Sequence, residues 1–164
     1  MKYLTVLQIR TSSSRLPGKA FLDFNGTCLY KLCIERAQVP FSKLIVATSN
    51  ETTDDLLAFK LQKEDCLVFR GELSDVLSRF VNISNEFRLA SSDVIIRLTG
   101  DNPLVDKYFL NEMKQVWEQN DLDYLSSQPK NSELINWPYG LSAEFFKVEL
   151  LQKSFVEDLS SYNK

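Results

Sequence analysis

Residues 4–19 read Leu4-Thr-Val-Leu-Gln-Ile-Arg-Thr-Ser-Ser-Ser-Arg-Leu-Pro-Gly-Lys19. The apolar positions Leu4, Val6, Leu7 and Ile9 predict a buried strand over residues 3–9. The chain then becomes cationic and polar, with Arg10, Arg15 and Lys19 around Ser12, Ser13 and Ser14, and it carries the turn signal Pro17-Gly18. Three cations and three hydroxyls converging on one loop form a phosphate-binding composition, to which the backbone N–H groups of an irregular loop add neutral donors. The same composition also describes a solvated basic loop after a first strand. Two other phosphate motifs are excluded. A Walker A loop needs Gly at Ser13 and Ser or Thr at Ala20, and a dinucleotide fingerprint needs glycines where this loop has Arg and Ser. Any phosphate held here is held by side chains.

Working outward, strands and helices alternate. Thr27 is expected to cap a helix after the Asn25-Gly26 turn, with Leu29, Leu32, Cys33 and Ala37 as its apolar stripe and Pro40 as its stop. Residues 43–48 form a strand covered on both faces, and Thr53 caps a second helix with Asp54 and Asp55 opposing its dipole. Residues 66–69 are a third strand that Gly71 breaks. Ser74 starts a helix facing inward through Val76, Leu77, Phe80, Ile83, Ser84 and Phe87. Residues 93–98 are a strand delivering Thr99, Gly100 and Asp101, and Asp106 caps a helix burying Phe109, Leu110, Met113 and Trp117. A short strand over 123–127, a loop through Trp137-Pro138 and a helix from about Val148 complete the chain. This order predicts one α/β domain over residues 1–164, three-layered with a mostly parallel sheet. In such sheets ligands bind off the carboxyl ends of the strands, where the cationic loop and Asp101 meet.

Arg10-x-x-Ser13-x-Arg15-Leu-Pro-Gly-Lys19 resembles the N-terminal signature of the sugar nucleotidyltransferases that activate acidic sugars with CTP, most closely the SpsF-like cytidylyltransferases of the CMP-sugar synthetase family. The likeness continues in order through Phe21-Leu-Asp-Phe-Asn-Gly26, Ile34-Glu-Arg-Ala37, Ile45-Val-Ala-Thr48, Phe69-Arg-Gly71, Asp75-Val-Leu-x-Arg79, Ile96-Arg-Leu-Thr-Gly-Asp-x-Pro-Leu-Val-Asp106 and Tyr139-Gly-Leu-x-x-Glu144. It implies a Rossmann-like, GT-A-like nucleotidyltransferase domain that transfers CMP from CTP to an acidic sugar, in surface polysaccharide biosynthesis. Arg10, Arg15 and Lys19 would then bind the triphosphate, with Ser12, Ser13, Ser14, Thr99 and Gly100 completing the nucleotide site. The nucleobase would sit near Gln8 and the segment from Asp75 to Arg79. Arg79 also suits a solvent-facing helix position. Tyr139, Gly140 and Glu144 would line the acceptor side, although Glu144 equally reads as a charge flanking the buried Phe145 and Phe146.

Asp101 is the candidate ligand for Mg²⁺: a carboxylate after Gly at a strand end can hold the ion with water and phosphate oxygens filling its other positions. Gly100 is expected to leave room for that approach, while Gly-Asp-Asn-Pro is also ordinary turn chemistry. The chain departs from the resemblance at Ser142, where relatives usually have Asp. It also ends at Lys164 without the Asp-x-Pro-x-Asp-Leu segment that supplies relatives with a second magnesium carboxylate, so the expectation is a shortened chain or a protein that has lost part of its site. Two other readings stay open: a nucleotide-binding module without turnover, and a nucleotidyltransferase using another nucleotide triphosphate.

Composition bounds these readings. With 164 residues, 44% hydrophobic and 25% charged, the chain can bury a substantial core. A net charge of −3 argues against nucleic acid as a partner and makes the cationic loop a local feature. The absence of an export leader and of a spanning segment predicts a cytoplasmic protein without membrane association. Cys28, Cys33 and Cys66 lack metal-ligand spacing and read as reduced core residues. With no histidine, imidazole bases and His-ligated zinc are eliminated. The resemblance allows a homodimer and leaves the oligomeric state open.

Overall fold

The computed structural model describes residues 1–13, 16–128, 138 and 140–162. Its elements are β1 (Tyr3–Gln8), the hairpin β2 (Asp23–Phe24) and β3 (Thr27–Cys28), α1 (Leu29–Ala37), β4 (Ser42–Ser49), α2 (Asp55–Lys63) and β5 (Val68–Gly71). These are followed by α3 (Val76–Glu86), β6 (Val94–Thr99), α4 (Lys107–Gln119), β7 (Tyr124–Ser126), β8 (Glu144–Lys147) and α5 (Val148–Tyr162). Six strands form one sheet in the order β5-β4-β1-β6-β8-β7. The first four run parallel, whereas β8 is antiparallel to both β6 and β7. The fold is therefore the mostly parallel α/β arrangement expected, with an antiparallel edge.

Alternation along each strand sorts the core into two layers. Leu7, Val46, Ile96 and Phe145 face α1, α2 and α4, where they meet Cys33, Leu61, Leu110 and Trp117. Leu4, Val6, Ile45, Ile95 and Phe146 face α3 and α5, where they meet Phe80, Ile83 and Leu151. The Phe145 and Trp117 rings lie 6.2 Å apart on one side, and Phe80 meets Phe146 edge-on at 5.7 Å on the other. The α4 face falls on Phe109, Leu110, Met113 and Trp117, and Asp106 caps it by accepting from the N–H groups of Tyr108 and Phe109.

Several local expectations are corrected. Thr27 belongs to β3, and α1 starts at Leu29 with no side-chain cap. Its buried stripe is Tyr30, Cys33, Ile34 and Ala37, because Leu32 falls at the half-buried margin. The Asn25-Gly26 turn closes a two-strand hairpin, with both residues at positive φ, 54° and 87°. Strand β5 lies two residues later than expected and includes Gly71, and α3 is capped by Asp75, whose side chain accepts from Ser78 N–H, rather than by Ser74. The three cysteines are free thiols, but only Cys33 is fully buried; desolvation pushes its thiol up to about 11. Among the described residues no helix is long and apolar enough to cross a membrane.

Candidate functional site

Strand β1 lies where the strand order reverses, with β4 and β5 added on one side and β6 on the other. A crevice off the carboxyl ends at such a point is the usual ligand position in an open α/β sheet. A cleft of about 360 Å³ occupies it, bounded by Gln8, Ile9, Arg10 and Ser13 after β1, Ala47 on β4 and Lys19 from the loop. Leu73, Val76 and Arg79 cover it from the α3 side, and Arg97, Thr99, Gly100 and Asp101 close it from β6.

The loop is held from beneath by Asp54. This carboxylate, 0% exposed, accepts from Thr11 N and Thr11 Oγ1 at 2.7 and 2.6 Å through Oδ1. Through Oδ2 it accepts from Thr48 Oγ1 at 2.9 Å, Ser49 N at 3.1 Å and the Ser49 hydroxyl. Burial acts to raise its pKa, but the hydrogen bonds from Ser49, Thr11 and Thr48 outweigh it and hold the carboxyl below the ordinary aspartate value. Asp54, at the N-cap position of α2, is therefore an anchor for the loop as well as a carboxylate at the positive end of the helix, and Thr53 makes no side-chain cap. The Thr11 carbonyl in turn accepts from Ser13 N and Gly18 N, both at 2.9 Å, closing the loop at a glycine with φ 72°.

Asp101 and Lys19 meet at the mouth. Lys19 Nζ lies 2.7 Å from Asp101 Oδ2, and Thr99 Oγ1 donates to Asp101 Oδ1 at 2.7 Å while accepting from Asn102 Nδ2 at 2.6 Å. Desolvation opposes ionisation of Asp101, but the bonds from Lys19 and Thr99 prevail and its pKa is lowered. Gly100 serves a different purpose from the one expected. A Cβ there would come within 2.7 Å of Ile9 Cγ1, so the space is taken by the neighbouring strand end rather than left for an ion.

The inner wall is a run of polar contacts across four strands. Arg97 Nε donates to Gln8 Oε1 at 2.8 Å, Arg97 Nη1 to Glu144 Oε2 at 2.8 Å, and Tyr124 OH to Glu144 Oε1 at 2.8 Å. Arg79, for which a solvent-facing helix position was the alternative, is only 6% exposed. Its Nη2 donates to the carbonyls of Glu72 and Leu73, and its buried Nε has no partner among the described residues. Desolvation, then the charge of Arg10, lowers its pKa. Ser12 Oγ is the other buried side-chain polar atom without a partner among the described residues.

The structure thus brings Gln8, Arg10, Ser13, Lys19, Arg79, Thr99, Gly100 and Asp101 to one cleft, with Ser12 beside it. Gly140 packs instead against Pro103 and Leu104, and Glu144 reaches the cleft only through Arg97. Ser14, Arg15 and Tyr139 lie outside the described residues. Arg97 and Asp54 were not singled out from the sequence. A charged residue amid the apolar run of β6 was the available signal for Arg97, and nothing local distinguished Asp54 from an ordinary helix start.

Four cations, Arg10, Lys19, Arg79 and Arg97, therefore line a cleft whose one carboxylate among the described residues is Asp101. Such a site suits a polyanion with a flat or apolar part. Comparison with known proteins agrees with this chemistry. The spore coat polysaccharide biosynthesis protein SpsF of Bacillus subtilis is 34% identical over 90% of this chain and 60% of its own length. A cytidylyltransferase from Leptospira borgpetersenii superposes with a TM-score of 0.81 at 31% identity, over 93% of this chain and 63% of that one. A CMP:2-keto-3-deoxy-manno-octonic acid synthetase solved with CTP shares the fold, with a TM-score of 0.69 at 18% identity over 94% of this chain and 77% of its own. The chain spans about three fifths of the length of the SpsF relative it matches. Residues 4–158 match the cytidylyltransferase family, to which this chain belongs.

Proposed function

We propose that this chain carries the nucleotide site of an enzyme that transfers CMP from CTP to an acidic sugar with release of pyrophosphate, acting in the cytoplasm in surface polysaccharide synthesis. The observation that carries the reading is the cluster of four cations in one cleft of a protein whose net charge is −3. Such a cluster is expected for a nucleotide polyanion rather than for stability: Lys19 and Arg97 are part-exposed, where cations contribute little to folding, and Arg79 is buried with its Nε unpartnered among the described residues. The reading is supported by the name of the Bacillus relative, which speaks of polysaccharide biosynthesis, and by that of the synthetase, which speaks of 2-keto-3-deoxy-manno-octonic acid and CTP.

In this reading a sugar hydroxyl attacks the α-phosphorus, the bond to pyrophosphate breaks, and the hydroxyl proton passes to solvent. Arg10 and Lys19 offset the charge that develops on the leaving group, and the loop anchored through Thr11 holds that group in line. Lys19 exchanges its Asp101 partner for phosphate when the nucleotide enters. Asp101, ionised and at the mouth, fits the mode in which Mg²⁺ takes one protein carboxylate and substrate phosphates. The ion would supply further neutralisation of the phosphates. Among the described residues no group of three or more potential ligands surrounds it. That single carboxylate favours a second reading, nucleotide binding without turnover by these residues alone.

The test is pyrophosphate release by the purified protein with CTP and a panel of acidic sugars, beside calorimetric titration with CTP, UTP, ATP and GTP. Selective CTP binding with release supports the enzyme; CTP binding without release supports the second reading. Failure of a folded chain to bind any of the four sinks both.

A further inference from the structure

The contacts joining Gln8, Arg97, Glu144 and Tyr124 cross β1, β6, β8 and β7 on the face covered by α3 and α5. Stability explains them poorly. The Arg97 and Glu144 side chains are 37% and 26% exposed, and a pair that wet contributes little. What the contacts do fix is direction. Arg97 spends Nε on Gln8 and Nη1 on Glu144, leaving Nη2 without a partner among the described residues. Because Arg97 donates to Gln8, the Gln8 amide must turn its oxygen to the guanidinium, which leaves its NH₂ as a second spare donor. Both side chains line the cleft, as do the apolar Leu73 and Val76 from the α3 side.

A slot with an apolar cover and paired donors on its floor accepts a flat ring with two adjacent acceptors on its edge. We infer that Arg97 reads the nucleobase, with Gln8 as the second donor and Glu144, braced by Tyr124, positioning the guanidinium. The inference rests on the function proposed above. Cytosine offers O2 and N3 as neighbouring acceptors. Uracil places an N3–H donor in the same position, where it would oppose a donor of the protein. Guanine carries an acceptor pair at O6 and N7, so CTP against UTP is the comparison that isolates this feature. Glu144 accordingly acts on the nucleotide side through Arg97, not on the acceptor side.

The experiment is calorimetric binding of CTP and UTP to the wild-type chain and to Arg97→Met, Arg97→Lys and Glu144→Gln, with thermal melts to verify folding and KM for the acidic sugar measured in parallel. Arg97→Met should lower CTP affinity at least about tenfold more than it lowers UTP affinity. Arg97→Lys should also lose the preference, since an ammonium cannot hold Gln8 and Glu144 while keeping a donor for the base. Glu144→Gln should reduce the CTP to UTP ratio about threefold by weakening a charge-assisted bond. If Arg97→Met fails to fold, the other two variants decide the matter by the same ratio. Equal losses for both nucleotides, or an intact ratio with a raised sugar KM, would overturn the inference while leaving the enzyme reading in place. Wild-type binding of CTP and UTP with equal affinity would also overturn it, whereas no binding of either would overturn the function reading first.

Discussion

Replacing Asp54 by Asn is nearly isosteric, yet it should be among the more damaging single changes in the chain. The carboxylate accepts five hydrogen bonds, two through Oδ1 from Thr11 and three through Oδ2 from Thr48 and Ser49. An amide has one acceptor oxygen and one NH₂. Whichever way it turns, the NH₂ faces a backbone N–H, that of Thr11 or that of Ser49, and a backbone donor cannot rotate away. Hydroxyls can. One opposed buried donor costs about 1–3 kcal/mol, and loss of charge assistance on the remaining bonds adds about 1 kcal/mol more. A total of about 3 kcal/mol corresponds to a fall in Tm of about 6–12 °C for a domain of this size. Asp55 is the internal control, since its carboxylate is 59% exposed and, among the described residues, pairs only with Arg70 at the surface. Asp55→Asn should change stability by less than about 1 kcal/mol. Urea melts of the two variants against wild type measure the difference. Because the folded pKa of Asp54 is depressed, its contribution is fully present above the ordinary carboxyl range and disappears as pH falls through the folded value. The gap between wild type and Asp54→Asn should therefore narrow on acidification below about pH 4. A loss at neutral pH no larger than that of Asp55→Asn would refute the account of the anchor.

Three further outcomes are expected. Asp101→Asn should abolish metal-dependent turnover, leaving the melting temperature within a few degrees of wild type, because the carboxylate is at the mouth rather than in the core; retained activity would remove Asp101 from the site. Lys19→Ala should weaken CTP binding far more than CMP binding, and equal losses in calorimetry would place Lys19 away from the leaving group. Asp106→Ala should destabilise the protein by about 1 kcal/mol in urea, since two N–H groups of the first turn of α4 lose their acceptor.

The parts of the fold legible in the sequence were those in which burial repeats with a clear period. The continuous runs of β4 and β6 and the spacing of Phe109, Leu110, Met113 and Trp117 each announce their element. Strand β8 was missed because Glu144–Lys147 is only four residues long and passes into α5 with no turn residue between them, so it read as the end of the loop before the helix at Val148. Thr53 and Asp54 have the composition of a helix cap, and only the return of Thr11, 43 residues earlier in the chain, turns Asp54 into a buried anchor. The cationic loop and Asp101 could be placed together from strand order alone. The Arg97 and Glu144 pairing could not, because it depends on the register of a strand that the sequence did not reveal.

The ends of the sheet carry a further consequence. Among the described residues its outermost strands are β5, with four residues, and β7, with three. An edge strand is a template for any extended chain, and the length of its open ladder limits how firmly such a chain can be held. Margins this short give a neighbouring molecule few rungs to pair with. If copies of this protein associate, they are expected to do so through helical or loop surfaces rather than by extending the sheet from one of these short strands into the next molecule.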